Sequence, residues 1–137
     1  MIFVDSSAYL SRYLAGDKHH ASSLDFWKNL EAERQILATS NFVLDETFTL
    51  LGRKAEYPFA VIKAKTIYAS HSLNILRPNE EDERQALEYF EKYADQKIAF
   101  TDCVSFVLMK KMRIGQVFTY DRHFEFAGFR VRPAREA

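Results

Sequence analysis

The chain has one cysteine, Cys103, among its 137 residues. A lone thiol excludes an internal disulfide framework and a cysteine-rich zinc site. No apolar run approaches the roughly 20 residues that span a bilayer, and the N-terminus opens on a strand-like run without a basic leader. The expectation is a soluble, cytoplasmic protein with no membrane partner. Net charge is missing too, since 19 Lys and Arg balance 19 Asp and Glu. A neutral total neither predicts nor excludes a nucleic-acid partner, because local patches decide that. Repeats, linkers and low-complexity segments are also absent, so residues 1–137 are expected to form one domain.

What is present is apolar material. The chain is 47% hydrophobic, with 12 Phe and 7 Tyr, enough for a packed core and far from a disordered composition. The charges are unevenly placed. Asn79 to Lys97 holds seven acids against three bases, and Lys110 to Ala137 holds seven bases, Arg135 among them, against three acids. Most such charges are solvated surface, but a basic rim beside an acidic centre would suit a polyanionic substrate.

The hydrophobic pattern alternates strands with helices. Met1–Val4, Gln35–Thr39, Leu73–Leu76, Gln116–Tyr120 and Phe129–Val131 read as strands. Ser6 or Ser7 is placed to cap a first helix that stops at Gly16, and Asp17 a second carrying Trp27 and Leu30. Ser40 or Asn41 caps a third, from Phe42 to about Lys54, and Pro58 suits the first turn of a fourth. Asn79 begins a fifth with an acidic first turn. A sixth starts at Thr101 or Asp102 and ends near Arg113, with Gly115 past its end. A short turn covers His123–Phe126. Short apolar strands joined by helical crossovers predict an α/β fold with a parallel sheet covered on both faces.

Four acids stand in apolar settings: Asp5, Glu46, Asp102 and Asp121. Asp5 and Asp121 follow strands, Asp102 opens a helix, and Glu46 lies about a turn and a half into one. In open parallel sheets, ligands sit beyond the carboxyl ends of the strands near a switch point, so all four can converge there. Taken singly, an Asp after a strand is more often a cap or turn residue. Taken together, the four carboxylates repel unless protons or cations intervene. Oxygen donors without cysteine or histidine favour Mg²⁺ or Mn²⁺ over zinc, and such a site suits phosphodiester hydrolysis. Asp45 points roughly 100° away from Glu46 and reads as surface, or as a supporting partner.

Four segments then show a resemblance. They are Phe3 to Ser7, Thr39 to Thr47, Phe100 to Phe106, and Val117 to Phe129, the last carrying Thr119-Tyr120-Asp121 and Ala127-Gly128-Phe129. In these the chain resembles the PIN domain family and, within it, the VapC-type toxins of toxin–antitoxin pairs. The resemblance implies a three-layer α/β/α fold and a Mg²⁺- or Mn²⁺-dependent endoribonuclease that cuts RNA with metal-activated water. It puts Asp5, Glu46, Asp102 and Asp121 on the acidic positions, with Asp5 and Asp102 the firmest ligands. Asp121 and Glu46 would bind a second ion or act through water. Ser6 and Thr119 fall on hydroxyl positions that hydrogen-bond the carboxylates. It further implies an antitoxin partner and a homodimer, with the apolar N-terminal helices at the interface.

Other readings stay open: a housekeeping RNA-processing nuclease, or a PIN-like module that binds RNA or protein without cutting. An aspartyl-phosphatase-like fold would want a second Asp two residues after Asp5, where Ser7 stands. Arg12, Arg53, Lys54, Lys110, Lys111, Arg113 and Arg122 are candidate phosphate contacts, with Arg122 first because it adjoins Asp121. Cys103 reads as a buried small residue. The four histidines show no metal-ligand spacing; His123 alone lies near a proposed site residue, where it could contact substrate phosphate, but it reads first as a surface or cap residue.

Overall fold

The computed structural model describes residues 1–134; Arg135 lies outside them. Five short strands, β1 (Ile2–Val4), β2 (Leu37–Ser40), β3 (Leu73–Leu76), β4 (Gln116–Phe118) and β5 (Arg130–Arg132), form one sheet in the order β3-β2-β1-β4-β5. Every pairing is parallel. Phe3 pairs with Ala38 on one side and Val117 on the other. Central strands buried on both faces need no polar alternation, so β1 is apolar throughout.

Seven helices cover the sheet: α1 (Ser6–Tyr13), α2 (His20–Ala32), α3 (Asn41–Lys54), α4 (Tyr57–Tyr68), α5 (Glu80–Lys92), α6 (Phe100–Lys111) and α7 (His123–Phe126). The chain steps outward from β1 to β2 to β3, then crosses back to β4. With right-handed crossovers, that reversal sends α1–α4 to one face and α5–α7 to the other. The helix contacts largely divide the same way, with α1 against α2 and α3, α3 against α4, α5 against α6, and α6 against α7; α3 against α6 is the contact that joins the two sets. The result is the three-layer α/β/α architecture. Among the described residues, no helix is long and apolar enough to cross a membrane.

Local chemistry explains most boundaries. Ser40 caps α3 by accepting from the Val43 N–H at 3.1 Å. Asn79 and Asp82 form a reciprocal capping box on α5. Other ends differ from the sequence expectation. Asp5 itself holds the N-cap position of α1, so Ser6 and Ser7 lie inside the helix. Asp17 accepts from the His19 N–H, one turn before α2 begins. Neither Gly16 nor Gly115 takes the left-handed position of a helix stop. At the end of α6 that position falls to Arg113, with φ 56°, and the Ile114 N–H bonds the Met109 carbonyl. A non-glycine residue tolerates this conformation when the following apolar residue is driven into the core, and Ile114 is buried.

The core carries Phe3, Phe106, Phe118 and Phe124, all fully buried. Tyr9, Phe26 and Trp27 also lie in it, which removes them from the apolar partner surface expected of the N-terminal helices. Exposed apolar side chains gather instead on α4, at Tyr57, Val61, Ile62 and Tyr68.

The sequence Ala127-Gly128-Phe129 closes α7. The Phe129 N–H donates to the Phe124 carbonyl at 3.1 Å and the Gly128 N–H to the Glu125 carbonyl at 3.0 Å, a Schellman end with Gly128 at φ 89°. Phe124 and Phe129 both pack on Phe106. Gly128→Ala is expected to cost about 1 kcal/mol, measured as a lower urea midpoint with unchanged slope.

Candidate active site

The reversal in strand order falls between β1 and β4, and the chain leaves both strands at the same edge of the sheet. Asp5 follows β1 and Asp121 follows β4, so neighbouring strands deliver two acids side by side. Hydroxyls tie the two exits together. Thr119 Oγ1 donates to Asp5 Oδ2 at 2.7 Å and accepts from the Asp121 N–H at 2.9 Å. Ser7 Oγ lies 3.2 Å from Asp5 Oδ2 and accepts from the Tyr120 N–H at 2.9 Å. Asp5 is 2% exposed, yet its Oδ1 has no hydrogen-bond partner among the described residues.

Two helices bring the other acids. Asp102 sits in the first turn of α6 and is buried. Glu46 lies on the second turn of α3, where Ser6 Oγ donates to its Oε1. The first turns of these helices approach each other, with the Phe42 and Phe100 rings 6.3 Å apart. Asp45, next in sequence to Glu46, is exposed. The tightest group is Asp102, Asp121 and His123, each offering one donor atom within 4.8 Å of the others. Asp5 and Glu46 both stand outside that group, but the charge of Glu46 acts on Asp5 and Asp102, and that of Asp5 on Asp102.

Electrostatics follow from this crowding. Burial pushes the Asp5 carboxyl up to about 6, against the Thr119 hydrogen bond and the nearby Ser6 backbone N–H, with Glu46 and Asp121 adding repulsion. Burial also raises Asp102, to about 10, helped by the charges of Asp5, Asp121 and Glu46. Without a cation, protons must neutralise the cluster. The unpartnered Asp5 oxygen and the clustered donors of Asp102 and Asp121 fit a divalent cation taking its place. Burial, with the neighbouring Asp102, raises the Cys103 thiol to about 11, so it does not act as a nucleophile near neutral pH.

The basic residues separate. Arg122 is half-exposed beside Asp121, 3.9 Å from Glu125. It lines a groove of about 700 Å³ with Lys18, His19 and Tyr120. Arg12 lies at the other end of α1, over the Trp27 ring and 3.5 Å from Glu31. Lys111 pairs with Asp82, and Lys110 bonds the Tyr89 hydroxyl. Both sit at the end of α6 remote from Asp102, so neither faces the acids.

Two residues near the acids are not assigned to the site by the sequence. Ser7 joins the Asp5–Thr119 network, and its signal was the serine doublet directly after Asp5. His123 was read as a surface or cap residue. Its signal was the spacing of two from Asp121, where a short turn brings the His123 N–H back to Asp121 Oδ1 at 2.9 Å.

The raised carboxyl pKa values give a sign for pH dependence. Both folded-state values exceed the unfolded value of about 3.9, so these groups stabilise the metal-free fold below about pH 4. That contribution is lost as pH rises through about 6 for Asp5 and later for Asp102. Asp5→Asn is therefore expected to raise the metal-free melting temperature at pH 8 and to change it little at pH 4, in thermal scans with chelator present. Adding Mg²⁺ or Mn²⁺ at pH 8 should raise the melting temperature of the unsubstituted chain by more than that of Asp5→Asn.

Comparison with known proteins agrees with this geometry. A PIN domain family model matches residues 2–129. The chain is 34% identical over 134 residues to the 23S rRNA-specific endonuclease VapC20 of Mycobacterium tuberculosis, covering 97% of this chain and 99% of that protein. It is 29% identical over 123 residues to a VapC ribonuclease of Archaeoglobus fulgidus, covering 88% of this chain and 77% of that one. The crystal structure of M. tuberculosis VapC20, described as a sarcin-ricin loop cleaving toxin, superposes with a TM-score of 0.83 at 33% identity, over 94% of this chain and 96% of that one. A toxin–antitoxin complex from Klebsiella pneumoniae shares the fold, with a TM-score of 0.63 at 15% identity over the full length of both chains. The acid-bearing sheet edge, the family match and the relatives converge: the chain belongs to the PIN domain family, as a VapC-type toxin nuclease.

Proposed function

We propose that this chain is a Mg²⁺- or Mn²⁺-dependent endoribonuclease, that Asp5, Asp102 and Asp121 hold the cation, and that Glu46 serves the attacking water. The observation that carries this reading is the Asp5 carboxylate. It is almost fully buried, anchored through Oδ2 by Thr119 and Ser7, and its Oδ1 is unpartnered beside other acids. A buried anionic oxygen without a donor is costly, and a cation removes that cost. When bound, the ion supplies neutralising charge at the phosphodiester and a lowered pKa for water.

The chain's own groups do the rest. Thr119 and Ser7 fix the rotamer of Asp5. Ser6 holds Glu46 Oε1, which leaves Oε2 free to orient a water and accept its proton. Arg122, which lines the neighbouring groove with Lys18 and Thr119, would contact substrate phosphate.

The substrate we propose is structured ribosomal RNA, as named for the relative from M. tuberculosis. The partners we propose are a cognate antitoxin and a second copy of the chain, and the exposed apolar side chains of α4 support a protein-covered face there.

Purified protein incubated with ribosomes and Mg²⁺ or Mn²⁺ is expected to cut 23S rRNA at one position, mapped by primer extension. Asp102→Asn should lower the rate about 100-fold or more, and chelator should abolish cleavage. Cutting that survives both changes would exclude the metal mechanism. Arg122→Ala is expected to raise KM severalfold with little change in kcat. Expression should arrest growth, with relief by a co-expressed small neighbouring gene product; normal growth would exclude the toxin role.

A further inference from the structure

His123 opens α7, two residues after Asp121. Its Nδ1 lies 3.1 Å from Asp121 Oδ1 and 3.7 Å from Asp102 Oδ2. Neither approach has hydrogen-bond geometry: Nδ1 is shielded from solvent and has no partner among the described residues. Asp121 Oδ1 instead accepts from the His123 backbone N–H, at 2.9 Å. That turn holds the carboxylate beside the ring nitrogen.

Nδ1 and one oxygen from each carboxyl group thus face one another without a hydrogen bond from the ring, in a site shielded from water. A cation seated among the three satisfies all of them at once. The rest of the ring fits this placement. It lies over Phe126, with centroids 6.2 Å apart and planes 26° from parallel. The side chain is 31% exposed, so Nε2 can keep its proton in contact with water. That tautomer leaves Nδ1 as a ligand.

We propose that His123 Nδ1 is a further protein ligand beside Asp5, Asp102 and Asp121, and that this nitrogen makes the site prefer Mn²⁺ to Mg²⁺. The inference rests on the metal-nuclease reading and refines its cation. Mg²⁺ strongly favours oxygen donors and retains its waters. Imidazole suits later and softer ions, and Mn²⁺ accepts it alongside carboxylates. The all-oxygen donor set expected from the acids thus becomes a mixed one.

The test is pulsed EPR on the full-length chain loaded with Mn²⁺. The expected result is an imidazole ¹⁴N coupling, replaced by a ¹⁵N coupling when the chain is grown on ¹⁵N-histidine. That comparison uses the unsubstituted protein, so it does not depend on how a variant folds. His123→Ala should remove the coupling, whereas His71→Ala, at an exposed position, should keep it. In calorimetric titrations, His123→Ala should weaken Mn²⁺ about tenfold or more and weaken Mg²⁺ by a smaller factor. Mn²⁺ that binds without nitrogen coupling overturns the His123 assignment and leaves the nuclease reading standing. Equal losses for the two ions overturn the preference. Failure of both ions to bind overturns the metal site itself.

Discussion

Parallel strands β1 and β4 lie side by side and exit the sheet at the same edge, each followed by an aspartate. That juxtaposition is an electrostatic burden. Asp5 is almost fully buried, Asp102 is nearly so, and Asp121 and Glu46 act on them both. Like charges at this density need protons or a cation. The hydroxyls of Thr119 and Ser7 bridge the two strand exits and fix which oxygen of Asp5 is anchored and which is left open. The rest of the site is arranged around that anchored carboxylate.

The helices serve this edge from both faces. Ser40 caps α3 and thereby sets the rotation of Glu46, while Ser6, inside α1, holds that carboxylate from the opposite element. On the other face, Phe106 follows Asp102 by about one turn and packs against Phe124 and Phe129. The same aromatic cluster that seats α6 also closes α7, the helix that carries His123. Packing in the core therefore fixes the distance between Asp102 and the loop of Asp121. The basic residues do not surround the acids. Arg12, Lys110 and Lys111 are engaged at the far ends of their helices, which leaves Arg122 and Lys18 at the groove beside the site.

Much of this was legible in the chain because the signals were local. A short β-branched and aromatic run such as Met1–Val4 can be read as a buried strand from its own residues, and Ser40 or Asn79 as a cap from its neighbours. Strand–helix alternation then dictated a parallel sheet, and the switch-point rule placed Asp5 and Asp121 at one edge. The readings that failed depended on distant residues. Gly115 looked like the stop for α6, but burial of Ile114 let Arg113 take the left-handed position. The sequence reads the aromatics as mostly core but leaves open which of the N-terminal helices' rings face a partner; the packing of α1 and α2 encloses Tyr9, Phe26 and Trp27. Lys110 and Lys111 are two of seven candidate phosphate contacts in the sequence, most of them ordinary surface charges, and the length of α6 sets both at the end remote from Asp102.

The sequence by itself determined the order of strands and helices, the parallel sheet, and the presence of four acids at positions able to converge. Backbone propensity, caps and crossover rules act over a few residues or through general topology, and both can be read from one dimension. Tertiary structure alone decided the pairing of donors: Asp102 with Asp121 and His123, Asp5 with Thr119 and Ser7, and Glu46 with Ser6. Those choices depend on how far α3 and α6 tilt toward the strand ends and on which way a four-residue helix turns a ring. Such distances are set by the close packing of the aromatic core between the layers, which no local stretch of sequence contains.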